Sequence, residues 1–378
     1  MTERVGQERC AQRDAAVERY MSLPLAQRKD KPKGVVPPAV AVVSVDGGRL
    51  QVRRAATATA DGSGIDEECV GDEAHKGRHW REDKIGLLMA MTSAAQARDP
   101  CPQVPAAFID PTRIAKLARQ LKARKAARQE AAQEAPAPEE GQPALAEAGQ
   151  AVKWVPPQAQ HRHLTATRRP WAAFGPMVAA LAWRQGLFQA PRRAFVGDGA
   201  DNVWAVWREH FSSFVAILDV IHAISYLFAS AMAGRAFADG WPCYVRWMGW
   251  VWQGEVEEVI AALGQRQAEL GVPPEQEGET HPARVVSTAL GYLQKHKDKM
   301  RYAEYRRQGL PITSSYVESA VKQFNERLKG TEKFWSEAGA EALLQLRADY
   351  LGSGTALTDF WQNRQESATG QRRYELAA

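Results

Sequence analysis

The stretch Leu310–Trp335 carries a carboxylate, Glu318, on the same predicted helix face as several cations and an amide. A turn at Pro311 and helical periodicity from Tyr316 define this helix, whose apolar stripe occupies a different face. The polar residues that share or flank the face of Glu318 are Lys322, Asn325, Arg327 and Lys329. A carboxylate one turn into a helix, followed by cations, can hold a metal ion beside a phosphate backbone.

The same residues also fit a purely structural interpretation. Ser315 and Glu318 have the spacing of a capping box, in which each side chain satisfies a backbone N–H group at the start of a helix. Glu318 and Lys322 are in addition a favourable i, i+4 pair. The stretch by itself therefore leaves metal binding and helix capping open.

Two aspartates follow predicted strands far from this helix. The β-branched run Val40–Val45 predicts a buried strand that ends at Asp46, where Asp-Gly-Gly predicts a hairpin turn into a second strand. Arg193–Gly197 predicts a further strand that ends at Asp198. Each aspartate alone is an ordinary turn residue.

Together with Glu318, these aspartates suggest a metal site. Carboxylates that meet at the ends of adjacent strands raise each other's pKa, and a divalent cation relieves that conflict. Oxygen ligands favour Mg²⁺ or Mn²⁺. We therefore predict Asp46, Asp198 and Glu318 as metal ligands, and a pair of ions about 3.5–4 Å apart would suit an in-line phosphoryl displacement.

The remaining pattern predicts an α/β fold, with a mixed sheet under helical cover and a large all-α insertion. Further strands are predicted at Lys84–Ala90 and at Phe214–Leu218, the latter ending at Asp219. Helices are predicted at Glu8–Tyr20, Pro111–Glu134, Trp171–Phe188, Asn202–His210, through most of 220–305, from Tyr316, and at Ser336–Tyr350.

The predicted organisation has seven parts. They are an N-terminal helical and basic segment (1–36), the first part of the catalytic domain (37–134), a low-complexity linker (135–160), the second part of the catalytic domain (161–220), a helical insertion (221–310), C-terminal catalytic helices (311–352) and a tail (353–378). The linker and the tail are expected to lack stable structure, because their composition favours neither helix nor strand.

Composition excludes several classes of protein. The chain has 378 residues, of which 45% are hydrophobic, so a large core can form. No apolar run reaches the roughly 18–20 residues of a membrane span. The charged N-terminus is unlike a signal peptide, and the four cysteines are far apart without metal-ligand spacing. We expect a cytoplasmic protein without a membrane partner.

A basic segment predicts contact with nucleic acid. The net charge is only +5, but residues 294–308 carry six Lys or Arg against two acids, with tyrosines between them. Basic clusters with aromatic residues are typical of nucleic-acid surfaces, although a solvated helix face has the same composition. Arg306 and Arg307 are the cations predicted to bind DNA here, alongside Lys322, Asn325, Arg327 and Lys329.

Four segments resemble, in order, motifs of the ISKra-type insertion-sequence transposases. They are DGGRLQVR (46–53), GDGADNVW (197–204), ILDVIHAISYL (217–227) and LPITSSYVESAVKQFNERLKG (310–330). These enzymes belong to the DDE transposases, have an RNase H-like fold and are similar to the Mutator-like group. The resemblance runs from about residue 38 to residue 350, and its last motif is the most specific.

The resemblance implies a role for each matching residue. Asp46, Asp198 and Glu318 would be the metal-binding catalytic triad, and Asp219 and His222 would match a supporting Asp-x-x-His pair. At i, i+3 across a strand-to-helix junction, Asp219 is expected to cap the helix and His222 to face the acids; a capping aspartate with a histidine at the edge of the core is the structural alternative. The implied activity is Mg²⁺- or Mn²⁺-dependent cleavage of DNA at the ends of the element, followed by strand transfer into target DNA. The implied partners are DNA and further copies of the chain assembled on it.

Two departures keep alternatives open. Only 45 residues precede Asp46, where relatives usually have a longer region that recognises the element's ends, and the segment 135–160 lengthens the gap between the first two acids. The chain could therefore be a truncated or inactive remnant that at most binds DNA. An RNase H-like nuclease acting on RNA is a third interpretation, but it would not need the long insertion.

Four tryptophans lie close together in the predicted insertion, at Trp241, Trp247, Trp250 and Trp252. Their roughly helical spacing favours a role in the core of the insertion. A platform that stacks on an unpaired base is the alternative, and it would require one of the four side chains to be exposed.

Overall fold

The structure is a computed structural model that describes residues 2–52, 79–119, 155–274, 278–329 and 333–366. Its strands are β1 (Val40–Val52), β2 (His79–Thr92), β3 (Gln158–Thr167), β4 (Arg192–Gly197) and β5 (Val215–Leu218). The helices before β5 are α1 (Thr2–Ser22), α2 (Leu25–Arg28), α3 (111–119), α4 (Trp171–Arg184) and α5 (Asp201–His210). Those after it are α6 (Val220–Met232), α7 (Phe237–Gln253), α8 (Val256–Leu270), α9 (Pro282–His296), α10 (Tyr302–Arg307), α11 (Ser315–Leu328), α12 (Glu337–Leu351) and α13 (Ala356–Glu366). Short 3₁₀ turns lie at Ala106–Phe108, Leu187–Gln189 and Lys297–Lys299.

The five strands form one mixed sheet in the order β3-β2-β1-β4-β5. β3, β2 and β1 are antiparallel neighbours, whereas β1, β4 and β5 run parallel. The continuous apolar run of β1 belongs at the centre, since both of its faces are covered and Val40 to Val45 are buried. The predicted α/β class with a mixed sheet and helical cover is confirmed.

The predicted hairpin turn at Asp46 is wrong. β1 continues through Asp46, Gly47 and Gly48 and stays paired with β2 as far as Val52. The glycines serve close packing, because a Cβ atom on Gly48 would lie 2.9 Å from the carboxylate oxygens of Asp83 on β2. Glycine inside a strand often marks such an approach.

β3 was not predicted. Residues 158–160 fall in the segment assigned to a linker, yet they begin a strand that pairs with β2 and forms one edge of the sheet. The alternation of its side chains is weak, because the first five residues are exposed and only the last four are buried. The helix α13 likewise lies within the predicted tail, while residues 367–378 and most of the predicted linker are outside the described residues.

Helices cover both faces of the sheet. α4 packs on β2 and β3. The side chains of Phe174 and Val178 lie within contact distance of the position that a Cβ atom on Gly86 would occupy. α11 and α12 pack on β1, β2 and β3. α1 joins these layers, since it contacts both α4 and α12. The helix predicted at Pro111–Glu134 is present at 111–119, and its remainder lies outside the described residues.

The helices α6 to α10 pack on one another and extend from the β5 edge. Trp247 and Trp252 are 2% and 1% exposed, so these two tryptophans are core residues as predicted. Trp241 and Trp250 are half-buried and pack against the same core. Within the described residues, no helix is both long and apolar enough to cross a membrane.

Candidate functional site

The acids predicted from the sequence lie at one edge of the parallel half of the sheet. Ser44 of β1 pairs with Val196 of β4, and Asp46 and Asp198 each follow two residues later. Side chains alternate along a strand, so Asp46 lies on the same face as Ser44. Asp219 follows β5 directly, and its backbone N–H donates to the Gly197 carbonyl at 2.8 Å. Asp198 and Asp219 thus lie at the carboxyl ends of β4 and β5, and Asp46 lies in β1 just beyond the end of its pairing with β4.

Asp219 has two structural contacts that fix its carboxylate. One oxygen accepts a hydrogen bond from the backbone N–H of Ile221 at 3.0 Å and thereby caps α6. The other accepts from the Ser314 hydroxyl at 2.6 Å. Asp219 is fully buried. The prediction that Asp219 caps this helix is confirmed, and Ser314 ties it to the start of α11.

Glu318 reaches this group from α11. The helix begins at Ser315, and its cap residue is Ser314, which makes no capping hydrogen bond with its side chain, so Ser315 is not the cap of a capping box with Glu318. The backbone N–H of Ser315 donates to the Thr313 hydroxyl at 3.2 Å. Glu318 is only 8% exposed. Its Oε1 lies 3.7 Å from Nε2 of His222, one turn into α6. The same His222 nitrogen lies 3.9 Å from Oδ2 of Asp219.

His222 carries a positive charge in this arrangement. Burial alone would lower the pKa of the imidazole. The hydrogen bond with Glu318 and the negative charges of Asp219 and Asp198 outweigh burial and raise the pKa to about 9. Burial also raises the pKa of Asp219, while the charge of His222 opposes that shift. The imidazolium therefore compensates the charge of the surrounding carboxylates.

One atom each of Asp219, His222 and Glu318 lies within 4.8 Å of the others, which is compact enough for a metal site. Among the described residues this group does not include Asp46 or Asp198, so the predicted triad is not brought together at that distance. Asp198 is close enough for its charge to act on His222, and the charge of Asp46 acts on Asp83 of β2. The carboxylate oxygens are hard donors of the kind that Mg²⁺ and Mn²⁺ favour. His222 could be a ligand only as the neutral imidazole, so a cation that uses it must displace its proton.

Asp83 of β2 is an acid that the sequence did not reveal. It is 1% exposed, and one of its carboxylate oxygens has no hydrogen-bond partner. Burial raises the pKa of Asp83 to about 7, and the negative charge of Asp46 adds to the shift. The sequence could not identify Asp83 as a buried acid. It stands between two charged residues, Glu82 and Lys84, at the start of a predicted strand, and surface residues have the same pattern.

Two tyrosines of the helical segment hold the acid-bearing strand ends. The Tyr292 hydroxyl on α9 donates to the Asp198 carbonyl at 2.8 Å. The Tyr302 hydroxyl on α10 donates to the Leu218 carbonyl, directly before Asp219, at 3.0 Å. Gly199 has φ of +100°, and a Cβ atom there would lie 2.6 Å from the Tyr292 oxygen. Only glycine suits both the backbone conformation and the close approach.

The prediction that Arg306 binds DNA is wrong. Its side chain is fully buried and forms a paired ion contact with Asp99, and it also donates to the Trp252 carbonyl at 2.9 Å. The guanidinium lies 4.0 Å from the centroid of the Trp252 ring. A cation with these partners supports the helical segment from inside and cannot contact a ligand on the surface.

The other predicted DNA contacts remain predictions. Arg307, Arg327 and Lys329 are exposed, whereas Lys322 and Asn325 are half-buried. Partial burial lowers the pKa of Lys329, although the negative charge of Asp83 opposes this. Lys329, directly after α11, therefore lies near Asp83 of β2.

Comparison with known proteins does not place the chain in a family. No protein-family model matches the sequence, and no curated protein is significantly similar to it.

Proposed function

We propose that the chain is a DDE transposase with an RNase H-like sheet, of the kind that its motifs resemble. The observation that carries the proposal is the compact group of Asp219, His222 and Glu318, which come from separate parts of the sequence. Asp198 and Asp219 follow the parallel strands β4 and β5, and Glu318 contacts His222 from α11. Asp46 lies in the neighbouring strand β1, two residues beyond its last pair with β4. The sheet order, with its antiparallel half followed by a parallel half, is compatible with this class.

In the proposed site, Asp46, Asp198 and Glu318 supply the carboxylates that hold Mg²⁺ or Mn²⁺. When bound, the ions would activate water and stabilise the developing charge of a phosphodiester under attack. Asp219 supports the site, because its contacts with Ile221 and Ser314 fix α6 relative to α11.

His222 has a separate supporting role. Its Nε2 holds a proton between Asp219 and Glu318, and the resulting charge keeps these acids together before a cation binds. Lys322, Asn325, Arg327, Lys329 and Arg307 would contact the DNA backbone, and further copies of the chain would assemble on the DNA.

A DNA-cleavage assay tests the proposal. The substrate is a supercoiled plasmid that carries the DNA flanking the gene on both sides, incubated with Mg²⁺ or Mn²⁺. Asp46→Asn and Asp198→Asn should each abolish nicking, because each substitution removes a negative charge that binds the metal ion. The DNA affinity should stay nearly unchanged, because neither substitution removes a contact with the DNA backbone. Asp201→Asn is the matched control, since Asp201 is an exposed acid near Asp198 that pairs with Lys295.

Cleavage that persists in either variant would place the active site elsewhere. A wild-type chain that binds DNA but cuts it with neither metal would favour the second candidate, an inactive DNA-binding remnant. The observation behind that candidate is the ion contact of His222 with two acids, which gives the cluster a purely structural function without a metal.

A further inference from the structure

A polar cavity lies at the β3 edge of the sheet, away from β5 and its acids. Its volume is about 490 Å³, and its walls come from α1, β3, α4, α12 and α13. This size falls within the range of small-molecule sites, roughly 300–1,000 Å³. Because helices enclose it on several sides, the cavity is a recess and differs from the open groove that a duplex needs.

The lining has an excess of positive charge. Four arginines and two aspartates line the cavity: Arg9, Arg13, Arg19, Arg184, Asp349 and Asp359. Arg9 is paired with Asp349, with Nε and Oδ2 2.9 Å apart. Arg13 is only 9% exposed and lies 3.0 Å from Glu341, which is not part of the lining.

The other two arginines have no direct partner. Within the described residues, the guanidinium groups of Arg19 and Arg184 form neither an ion pair nor a hydrogen bond, although Asp349 and Asp359 of the lining partly offset the charge of Arg184. Arg19 lies near the end of α1, and Arg184 is the last residue of α4; both residues are exposed at the cavity rim. The cavity therefore brings two guanidinium groups without a direct partner, from different helices, to one space.

The titration of nearby groups agrees with an unbalanced positive field. Burial lowers the pKa of Arg184, and the charges of Arg9 and Arg19 lower it further, while the smaller effects of Asp349 and Asp359 oppose the shift. Burial, with the charges of His161 and Arg184, lowers the pKa of His163 in the cavity wall to about 4. An anion placed among these groups would relieve the repulsion.

We propose that this recess binds a small ligand with two or more linked phosphate groups. Guanidinium groups form paired, charge-assisted hydrogen bonds with phosphate oxygens. Because the two arginines are on separate helices, each can bind a different phosphate group of the same ligand. The backbone of DNA offers the same chemistry in a larger form, and the enclosed shape of the cavity favours the small ligand. This inference does not depend on the function proposed for the acids.

Titration calorimetry with inorganic pyrophosphate tests the proposal. The full chain is titrated in EDTA, so that no metal can bring the anion to the acids. Pyrophosphate should bind the wild type, and Arg184→Gln and Arg19→Gln should each weaken binding about tenfold, the effect of losing a charge-assisted contact. Arg208→Gln on α5 is the control and should bind like the wild type, because Arg208 is exposed and outside the cavity.

Two further measurements make the result specific. The ring C–H resonances of His163 should shift when pyrophosphate is added to the wild type, and the same shift in Arg184→Gln should need about ten times more pyrophosphate. Thermal melts of the three variants should overlay that of the wild type, since none of these side chains has an ion pair that holds the fold together. A variant that unfolds is replaced by the lysine variant at the same position, which keeps the charge and should retain binding.

Three outcomes would overturn the assignment. The first is no binding of pyrophosphate to the wild type. The second is an equal loss in Arg184→Gln and Arg208→Gln, which would mean a general charge effect. The third is a short DNA duplex that binds through Arg184 and Arg19 when pyrophosphate does not, which would make the DNA backbone the source of the phosphates.

Discussion

The imidazole of His222 connects the two acids that approach each other most directly in the candidate site. Its Nε2 lies 3.7 Å from Glu318 and 3.9 Å from Asp219. The sequence predicted that His222 faces the acids, because an i, i+3 relation to Asp219 across a strand-to-helix junction allows it. The sequence could not predict that Glu318 contacts His222 and does not form a capping box, because this contact depends on how α11 packs against α6.

The charge of His222 predicts a pH-dependent stability of the metal-free protein. An unfolded histidine has a pKa near 6.5, and in the folded protein the pKa is about 9 because Glu318, Asp219 and Asp198 outweigh burial. A raised folded pKa means that the stabilisation is fully present below pH 6.5 and is lost as the pH rises towards 9. Its size is on the order of 1–3 kcal/mol.

Urea unfolding in EDTA between pH 6 and pH 9 measures this effect. The free energy of unfolding of the wild type should fall across the interval, and His222→Asn should remove most of the slope above pH 7. Asp83, whose pKa burial raises to about 7, adds a fall below pH 7 that remains in every variant. His161→Asn, a change at an exposed position on β3, should leave the slope as in the wild type. A slope that is the same in all three proteins would mean that His222 is neutral.

At the level of the strands, Asp46 shows where pattern reasoning fails. The Asp-Gly-Gly sequence is typical of a hairpin turn. Here β1 continues through these residues and stays paired with β2, and the side chain of Asp83 on β2 packs against Gly48. Asp46 therefore does not end its strand as predicted, although the strands that carry Asp46 and Asp198 are neighbours in the sheet, as expected. The cause of the error is a side chain on another strand, which no local pattern contains.

The helical segment is predicted to position the catalytic strand ends through Tyr292. Tyr292→Phe keeps the stack on Tyr226, whose ring centroid is 3.9 Å away, and removes only the hydrogen bond to the Asp198 carbonyl. We expect a stability loss of about 1 kcal/mol together with a much larger loss of Mn²⁺ affinity or of nicking rate, because the loop that bears Asp198 is released.

Tyr305→Phe is the matched control for this effect. The Tyr305 hydroxyl donates to the Ala216 carbonyl at 3.3 Å, within β5 and three residues before Asp219. It should lose a similar amount of stability and retain both metal affinity and nicking. Equal losses of activity in the two variants would argue against a positioning role for Tyr292.

For the molecule as a whole, the sequence predicted the α/β class, four of the five strands and most helices, because long periodic segments and buried apolar runs are strong local signals. β3 was missed since half of it is exposed at the sheet edge. The partners of Arg306 were missed because Asp99 is far away in the sequence. Strand order and buried polar pairs depend on tertiary contacts that one sequence does not reveal.

Metal binding is predicted to stabilise the whole chain. A cation that binds the folded but not the unfolded protein at ten times its dissociation constant adds about 1.4 kcal/mol. Mn²⁺ should therefore raise the melting temperature of the wild type, and EDTA should reverse the rise. Asp198→Asn should show a smaller rise, and Asp201→Asn an unchanged one. A rise that is equal in all three proteins would mean that Mn²⁺ binds outside the acid cluster.

The most direct test of the account is the behaviour of Glu318→Gln in a melt and a nicking assay on the same preparation. Gln keeps the shape of the side chain but removes the charge that a metal ligand needs. We expect a stability loss of about 1 kcal/mol, from the weakened contact with His222, and complete loss of metal-dependent nicking. A Gln variant that nicks DNA at the wild-type rate would contradict the assignment of Glu318 as a metal ligand, and with it the proposed active site.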